Sequence, residues 1–373
     1  MVKERLEKGD YVGEKVYKSK WKRQPVVVKR IRGWRRADFE IERYIKSIGQ
    51  KNIISMHHHF EDNDKFTLVL ERGLCSLREL MNHYSFNRDP DYMPRSKYSF
   101  LKNCTKGREL GESRNLSPNL LRIIRNILSA LESLHQRTIK HGYLDPDNVI
   151  ICEGYKAKLA MTKNQRSLIL PNVDVDFLGA AQIVHYCATL GHSTGYVNGA
   201  VTVSPDLSPD ICNLILYLFN GPGHRPDRFY INHFTFWNHV KKIQFLCAAS
   251  SKLCRASGAE ITFLQRDQAT LHNGNIDWKV AINNSMPGLW NAVNVTQGMN
   301  SCKTAHLVRF IRNAYQHCDK LPIRSLIGDT PTSIVTFFDS VFPLLLARVY
   351  DLAVSAWGSD EVFESFMRGD GDS

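Results

Sequence analysis

Lys140-His141-Gly142-Tyr143-Leu144-Asp145-Pro146-Asp147-Asn148-Val149-Ile150-Ile151 is a tight polar turn that runs straight into a short apolar strand. Upstream, Ser117-Pro118 opens a periodic stretch from Leu120 to His135, with apolar residues at Leu121, Ile124, Ile127, Leu128, Leu131 and Leu134. That spacing predicts an amphipathic helix, entered by an N-cap serine and a proline at its first position. Further upstream the text is strand-like. Val26-Val27-Val28-Lys29 and Phe66-Thr67-Leu68-Val69-Leu70 are β-branched or apolar runs, and the second stops at Glu71-Arg72-Gly73. Between them, Ala37 to Ile48 has helical spacing. Residues 85–116 are polar and interrupted by proline and glycine, an insertion of about thirty residues and too long for an ordinary connection. Downstream, helices are predicted over Asp176–Leu190, Pro209–Leu218, Phe234–Ala249, Thr304–His317 and Thr332–Val354. Strands first and helices afterwards give an α+β, two-lobed domain followed by an all-helical one.

Composition fits this division. The 373 residues are 43% hydrophobic and 23% charged, enough for two packed domains and too apolar for a disordered chain. The most apolar stretch, Ile334 to Tyr350, is broken by Asp339, Pro343 and Arg348, so no membrane span is expected. Met1-Val2-Lys3-Glu4-Arg5 has no apolar core behind it, and no signal peptide is expected either. Nine scattered cysteines without a C-x-x-C pair argue against structural zinc and against a disulfide framework. Buried thiols in a reducing, cytoplasmic setting are the expectation. His57-His58-His59 is a poor chelator, because adjacent strand residues point to opposite faces, and it is expected to be a solvated strand or loop.

The charge is less easily placed. There are 49 Lys+Arg against 37 Asp+Glu, a net +12. Such a surplus suits a polyanion such as RNA, DNA or an acidic membrane, although ordinary solubility requires nothing more. Residues 1–50 hold fifteen Lys/Arg and seven acids, with Lys15, Lys18, Lys20, Lys22 and Arg23 in one run. A solvated hairpin edge has the same composition.

The order of elements resembles a protein kinase over about residues 8–237. Val26-Val27-Val28-Lys29 stands where kinases have V-A-I-K, and Glu40 where the partner of that lysine belongs. His141-Gly142-Tyr143-Leu144-Asp145-Pro146-Asp147-Asn148 is similar to H-R-D-L-K-P-x-N, and Asp174 to Gly179 to the start of the large-lobe helix. Phosphoryl transfer needs a carboxylate to accept the hydroxyl proton, a carboxylate on Mg²⁺ and a glycine-rich cover. Tyr143 replaces the first. Ala160-Met161-Thr162-Lys163 has no acid where the second belongs. Only Gly9 and Gly13 remain of the cover, and the activation segment shrinks to Asn164–Val173. Kinase activity is therefore not expected. Lys29, Glu40 and Asn148 persist as a vestigial nucleotide site. ATP or ADP would be an effector without turnover, but Val27 crowds an adenine ring and a leftover ion pair is the preferred reading.

The last third resembles a second module. His233-Phe234-Thr235-Phe236-Trp237-Asn238, Leu307 to Asn313, His317, Leu321-Pro322, Ile327-Gly328-Asp329 and Val341 to Leu345 are similar to the KEN ribonuclease domain. The family is that of the unfolded-protein-response kinase/endoribonucleases, including plant forms, and of 2-5A-dependent ribonuclease L. The expected division is residues 1–237, a kinase-like domain with the insertion at about 85–116, and residues 238–373, the KEN domain. On a helix through this region, Leu307, Val308, Ile311 and Tyr315 share a buried stripe. His306, Asn313 and His317 lie opposite, and Arg312 falls between. A guanidinium, an amide and an imidazole so close together suit a phosphodiester. The resemblance implies that His317 is the general acid and that Arg312 and Asn313 hold the scissile phosphate, without metal, leaving 2′,3′-cyclic phosphate ends. It also implies RNA as partner and a homodimer or heterodimer as the working form, in RNA processing or unfolded-protein-response signalling. One departure stands out. The family's tyrosine thirteen residues before the arginine is Met299 here, which moves no proton. His306 shares the helix face but lies eleven residues from His317, about 16 Å, too far to serve one phosphate, which leaves Lys303 or another residue of 285–303 as the open substitute. Two functions follow: an endoribonuclease, favoured by Arg312, Asn313 and His317, or a nuclease-impaired pseudo-enzyme that pairs with an active relative or binds RNA, favoured by Met299.

Overall fold

The β-branched runs pair as their alternation requires. In the computed structural model, β1 (Tyr11–Gly13), β2 (Val16–Trp21), β3 (Gln24–Arg32), β4 (Met56–Asp62) and β5 (Lys65–Glu71) form an antiparallel sheet in the order β1-β2-β3-β5-β4. Alternate residues feed two small cores. Trp21, Val26, Val28 and Val69 are buried together on one face; Phe66, Leu68 and Leu70 join Ile54 on the other. His58 belongs to the first face, stacked on Trp21 at 5.1 Å, while His57 is exposed. The triple histidine is thus a strand whose middle ring is packed, not one fully solvated. The structure describes residues 11–13, 16–32, 43, 51–62, 65–86, 116–160, 174–191, 196–197, 200–201, 207–220, 228–265, 277–293 and 299–368. The helix expected over 37–48 (Arg43 apart), most of the 85–116 insertion and the 161–173 segment fall outside these residues.

The chain divides into two compact units, Met1–Leu207 with Leu214–Ile231, and Ser208–Asn213 with Asn232–Ser373. In the first, β6 (Cys75–Ser76) leads into α1 (Leu77–Phe86) and pairs with β7 (Val149–Cys152), which pairs with β8 (Lys156–Leu159). Helix α2 (Pro118–His135) begins where Ser117 Oγ accepts the Leu120 N–H at 3.3 Å, and buries Ile123, Ile124, Ile127, Leu128, Leu131 and Leu134. Leu120 takes the buried place expected for Leu121, which is only partly covered. Helix α3 (Asp174–Ala188) carries Asp176, fully buried. The unit closes with α4 (Pro209–Phe219), whose first turn is counted with the second unit, and α5 (Arg228–Ile231). Kinase-like strands and helices are followed by an all-α region.

The second unit is helical throughout its described residues: α6 (His239–Leu253), α7 (Gly258–Gln265), α8 (Trp278–Ser285), α9 (Leu289–Ala292), α10 (Thr304–Gln316), α11 (Leu321–Ile327), α12 (Pro331–Val341), α13 (Leu345–Ala356) and α14 (Glu361–Arg368). Two expected helices are corrected. The stretch from Phe234 does not enter a helix directly. Phe234–Phe236 is a 3-10 turn, and α6 starts only after Asn238, whose side chain accepts the Lys241 N–H at 2.8 Å. Thr332–Val354 is two helices bent by 96° across Phe342-Pro343-Leu344, because proline cannot continue a helix and drives its predecessor out of helical geometry (Phe342 φ −129°, ψ 66°). No single helix among the described residues is long and apolar enough to cross a membrane. Trp278 and Phe310, both fully buried, anchor the core, with Trp290 stacked on Phe310 at 5.6 Å. Buried His233 is held neutral, its imidazole pushed well down by burial and by the nearby Lys242 charge; its Nε2–H donates to Asn213 Oδ1 at 2.9 Å.

Candidate active site

Helix α10 is amphipathic from its own sequence. Leu307, Val308, Phe310, Ile311 and Ala314 are buried and face α6 and α12. This stripe is wider than Leu307, Val308 and Ile311 alone, and Tyr315 is only partly covered, so Phe310 and Ala314 complete the seam. Arg312 and Asn313 sit at the edge of the stripe, both partly buried. Their side chains meet: Arg312 Nη2 donates to Asn313 Oδ1 at 3.2 Å. Arg312 Nε is enclosed and has no hydrogen-bond partner among the described residues. An enclosed donor left unpaired costs about 1–3 kcal/mol, and a catalytic role is one reason for a fold to keep one. The guanidinium also lies near Cys247 of α6, whose thiol burial pushes up while the Arg312 charge pulls it partly back.

His317 is not inside the helix. It caps the C-terminus at φ −119° and ψ 18°, with its N–H donating to Asn313 O at 3.1 Å. The cap frees its exposed imidazole, which makes no hydrogen bond with described residues. Three residues on, Lys320 N–H donates to His317 O at 3.1 Å, and the chain turns into α11 with Lys320 and Leu321 exposed beside the cap.

At the other end of α10, Met299 is partly buried in the segment before the helix. Ser301 Oγ donates to Asp277 Oδ2 at 2.7 Å, and Trp278 Nε1–H to Lys303 O at 3.1 Å, which fastens this segment to the start of α8. Asn300 N–H donates to His306 Nδ1 at 2.7 Å. Burial and the neighbouring Lys303 charge push the His306 imidazole down. A neutral ring whose lone pair already accepts an N–H has none left for a substrate proton. His306 is a structural cap.

The kinase-like loop is bound up in its own contacts. Asp176 Oδ2 accepts the His141 N–H at 2.7 Å and His135 Nε2–H at 2.9 Å, and Oδ1 accepts the Gly142 N–H at 2.6 Å. Tyr143 is 46% exposed. Asp145 stands where H-R-D-L-K-P-x-N has its lysine. Arg78, from α1, donates to Asp145 at 3.0 Å and to Asp147 at 2.8 Å, so both loop carboxylates are engaged. Asn148 Nδ2 donates to Tyr143 O at 3.3 Å, its amide turned onto the backbone. Lys29, on β3, is partly buried and its ammonium is pushed down by that burial. Glu40 lies outside the described residues. Among the described residues no three His, Cys, Asp or Glu gather as a metal site.

Residues 242–367 match the Ribonuclease 2-5A family model, the KEN domain. These residues form a ribonuclease 2-5A domain behind a kinase-like fold. The relatives span both parts. The serine/threonine-protein kinase/endoribonuclease IRE1 of Oryza sativa subsp. japonica is 26% identical over 89% of this chain and 40% of its own length. IRE1a of Arabidopsis thaliana is 26% identical over 96% of this chain and 49% of its own. An inactive serine/threonine-protein kinase/endoribonuclease IRE1-like protein of Arabidopsis thaliana is 22% identical over 88% of this chain and 70% of its own. The chain spans less than half the length of the rice protein and of IRE1a. Arg312, Asn313 and His317 all lie within the ribonuclease 2-5A domain.

Proposed function

We propose that this chain is a metal-independent endoribonuclease carried on a kinase-like unit that transfers no phosphoryl group. The observation that carries the reading is the Arg312–Asn313 contact, with Arg312 Nε enclosed and unpaired, one turn from the exposed His317. In the proposed reaction the 2′-oxygen of the RNA attacks the adjacent phosphorus. The O2′–P bond forms as the P–O5′ bond breaks, and the proton on His317 passes to the departing O5′. Arg312 balances charge on the phosphoryl oxygens, held in orientation by Asn313. The products carry a 2′,3′-cyclic phosphate and a 5′-hydroxyl. Solvent takes the 2′-hydroxyl proton, since Met299 cannot, and the rate should be about 10²–10⁴ lower than with a full acid–base pair.

A second reading rests on Met299 and on the relative described as inactive: an impaired nuclease that pairs with an active one. Purified chain incubated with labelled stem-loop RNA in EDTA separates the two. Cleavage with cyclic-phosphate ends, read by mass spectrometry, is expected. No product at any protein concentration leaves the second reading. Arg312→Lys keeps the charge but loses the planar fork. Its kcat/KM should fall about 10- to 100-fold, the worth of one charge-assisted hydrogen bond.

The same reading makes a homodimer or a heterodimer with a related nuclease the working form. Against Mg²⁺-nucleotide turnover in the kinase-like unit we weigh that Tyr143 replaces the general base, that Asp145 and Asp147 are held by Arg78 and that Asn148 is turned onto the backbone, although Lys29 is kept. ATP or ADP has no part in the proposed reaction.

A further inference from the structure

Between Glu14 and Asp38 the chain carries ten Lys/Arg and no Asp/Glu. The described part of this run is the β2–β3 hairpin, and the candidate active site uses none of it. Lys18 and Lys20 occupy alternate positions of β2 and so share one sheet face, and Lys22 and Arg23 form the turn. At about 3.4 Å per residue, positions 18, 20 and 22 succeed one another at roughly 7 Å intervals. Lys20, Lys22, Arg23 and Arg30 are exposed. Trp21, in the middle of the run, is not: it is 7% exposed and stacked on His58. The hairpin therefore presents cations and keeps its indole inside.

The turn is also strained. Lys22 and Arg23 have φ of 50° and 69°, the left-handed region that two-residue hairpin turns require and that Asn-Gly satisfies cheaply. Neither side chain makes an ion pair or hydrogen bond with a described residue, so nothing described in the fold compensates for having cations there. A strained turn held by the β2–β3 pairing on either side of it, and occupied by long charged side chains at an exposed tip, is the kind of outlier from which function is inferred.

We propose that the β2–β3 hairpin is a docking arm for the sugar-phosphate backbone of the RNA that the ribonuclease domain acts on, which rests on the nuclease reading. With cations exposed and Trp21 buried, the arm contacts phosphates without reading bases. Binding through it is salt-dependent and indifferent to sequence.

The test uses the whole chain and fluorescent single-stranded RNA with 2′-O-methyl riboses, which offers no attacking hydroxyl. Anisotropy is followed across about 50–300 mM salt. The variant is Lys22→Asn with Arg23→Gly, which removes two cations and relaxes the turn. Its affinity should fall roughly 25-fold at about 0.1 M salt, and the slope of log K against log salt should become shallower by about 1.4. Two unrelated RNA sequences should behave alike. The variant should melt at least as high as the wild type, which separates lost binding from lost folding. Unchanged affinity and slope, no RNA binding by the wild type, or a defect seen only on phosphatidylserine vesicles would each overturn the proposal. Failure of the nuclease reading looks different: RNA bound with the steep slope, and unmodified RNA left uncut.

Discussion

His317→Ala is expected to lower the single-turnover rate of RNA cleavage by about 10²–10⁴, the usual contribution of one positioned proton donor. Two described neighbours are poorly placed to take over. His306 already accepts the Asn300 N–H, and the Cys318 thiol beside the cap is pushed up by burial, further from donating near neutral pH. RNA affinity should change little, because Arg312 and Asn313 remain. Fluorescence anisotropy on uncleavable RNA checks the binding, and quenched-flow or gel time courses check the rate. A rate within about threefold of the wild type would remove His317 from the reaction.

Asp176→Ala should destabilise the kinase-like unit by about 3–5 kcal/mol, the cost of leaving buried partners without their charge. His141 N–H, Gly142 N–H and His135 would all lose their acceptor in a site where the carboxylate is fully enclosed. Differential scanning calorimetry of the whole chain should show the corresponding transition lowered by roughly 10 °C. A shift of a degree or less would mean that the turn at His141 holds itself. The same carboxylate sets a pH dependence. Burial pushes Asp176 up, but the hydrogen bonds from His135 and from the His141 and Gly142 backbone, with the nearby His141 charge, pull it further down, so the net shift is downward. A group depressed in the folded state binds its proton more readily unfolded. Its contribution is complete above about pH 4, the unfolded value, and is lost as the pH falls below that through the folded value.

Much of the fold was legible locally. The periodicity of Leu120–His135 and Thr304–His317 marked α2 and α10, and the β-branched runs marked β3 and β5, because side-chain periods of 3.6 and 2 are set by backbone geometry alone. Pro343 was visible too, but how sharply it breaks the Ile334–Tyr350 stretch depended on where the next helix could pack. The candidate site was legible as a spacing. Asn313 and His317 had to lie one turn apart, and it took the resemblance to known families to make Tyr143 and Met299 read as departures.

What the spacing could not contain is what encloses each group. Among the described residues Arg312 Nε finds no partner because α10 packs as it does on its neighbours, and the His317 imidazole is exposed because the helix stops at Gln316. Asn300 reaches His306 only through the turn fastened to Asp277 and Trp278, and Arg78 reaches Asp145 across sixty-seven residues of chain. The sequence by itself determined which residue types line each helix and strand, since that depends on local repeat. The tertiary structure decided which donors and lone pairs are already engaged, since hydrogen-bond partners distant in sequence are fixed only by the path of the whole chain.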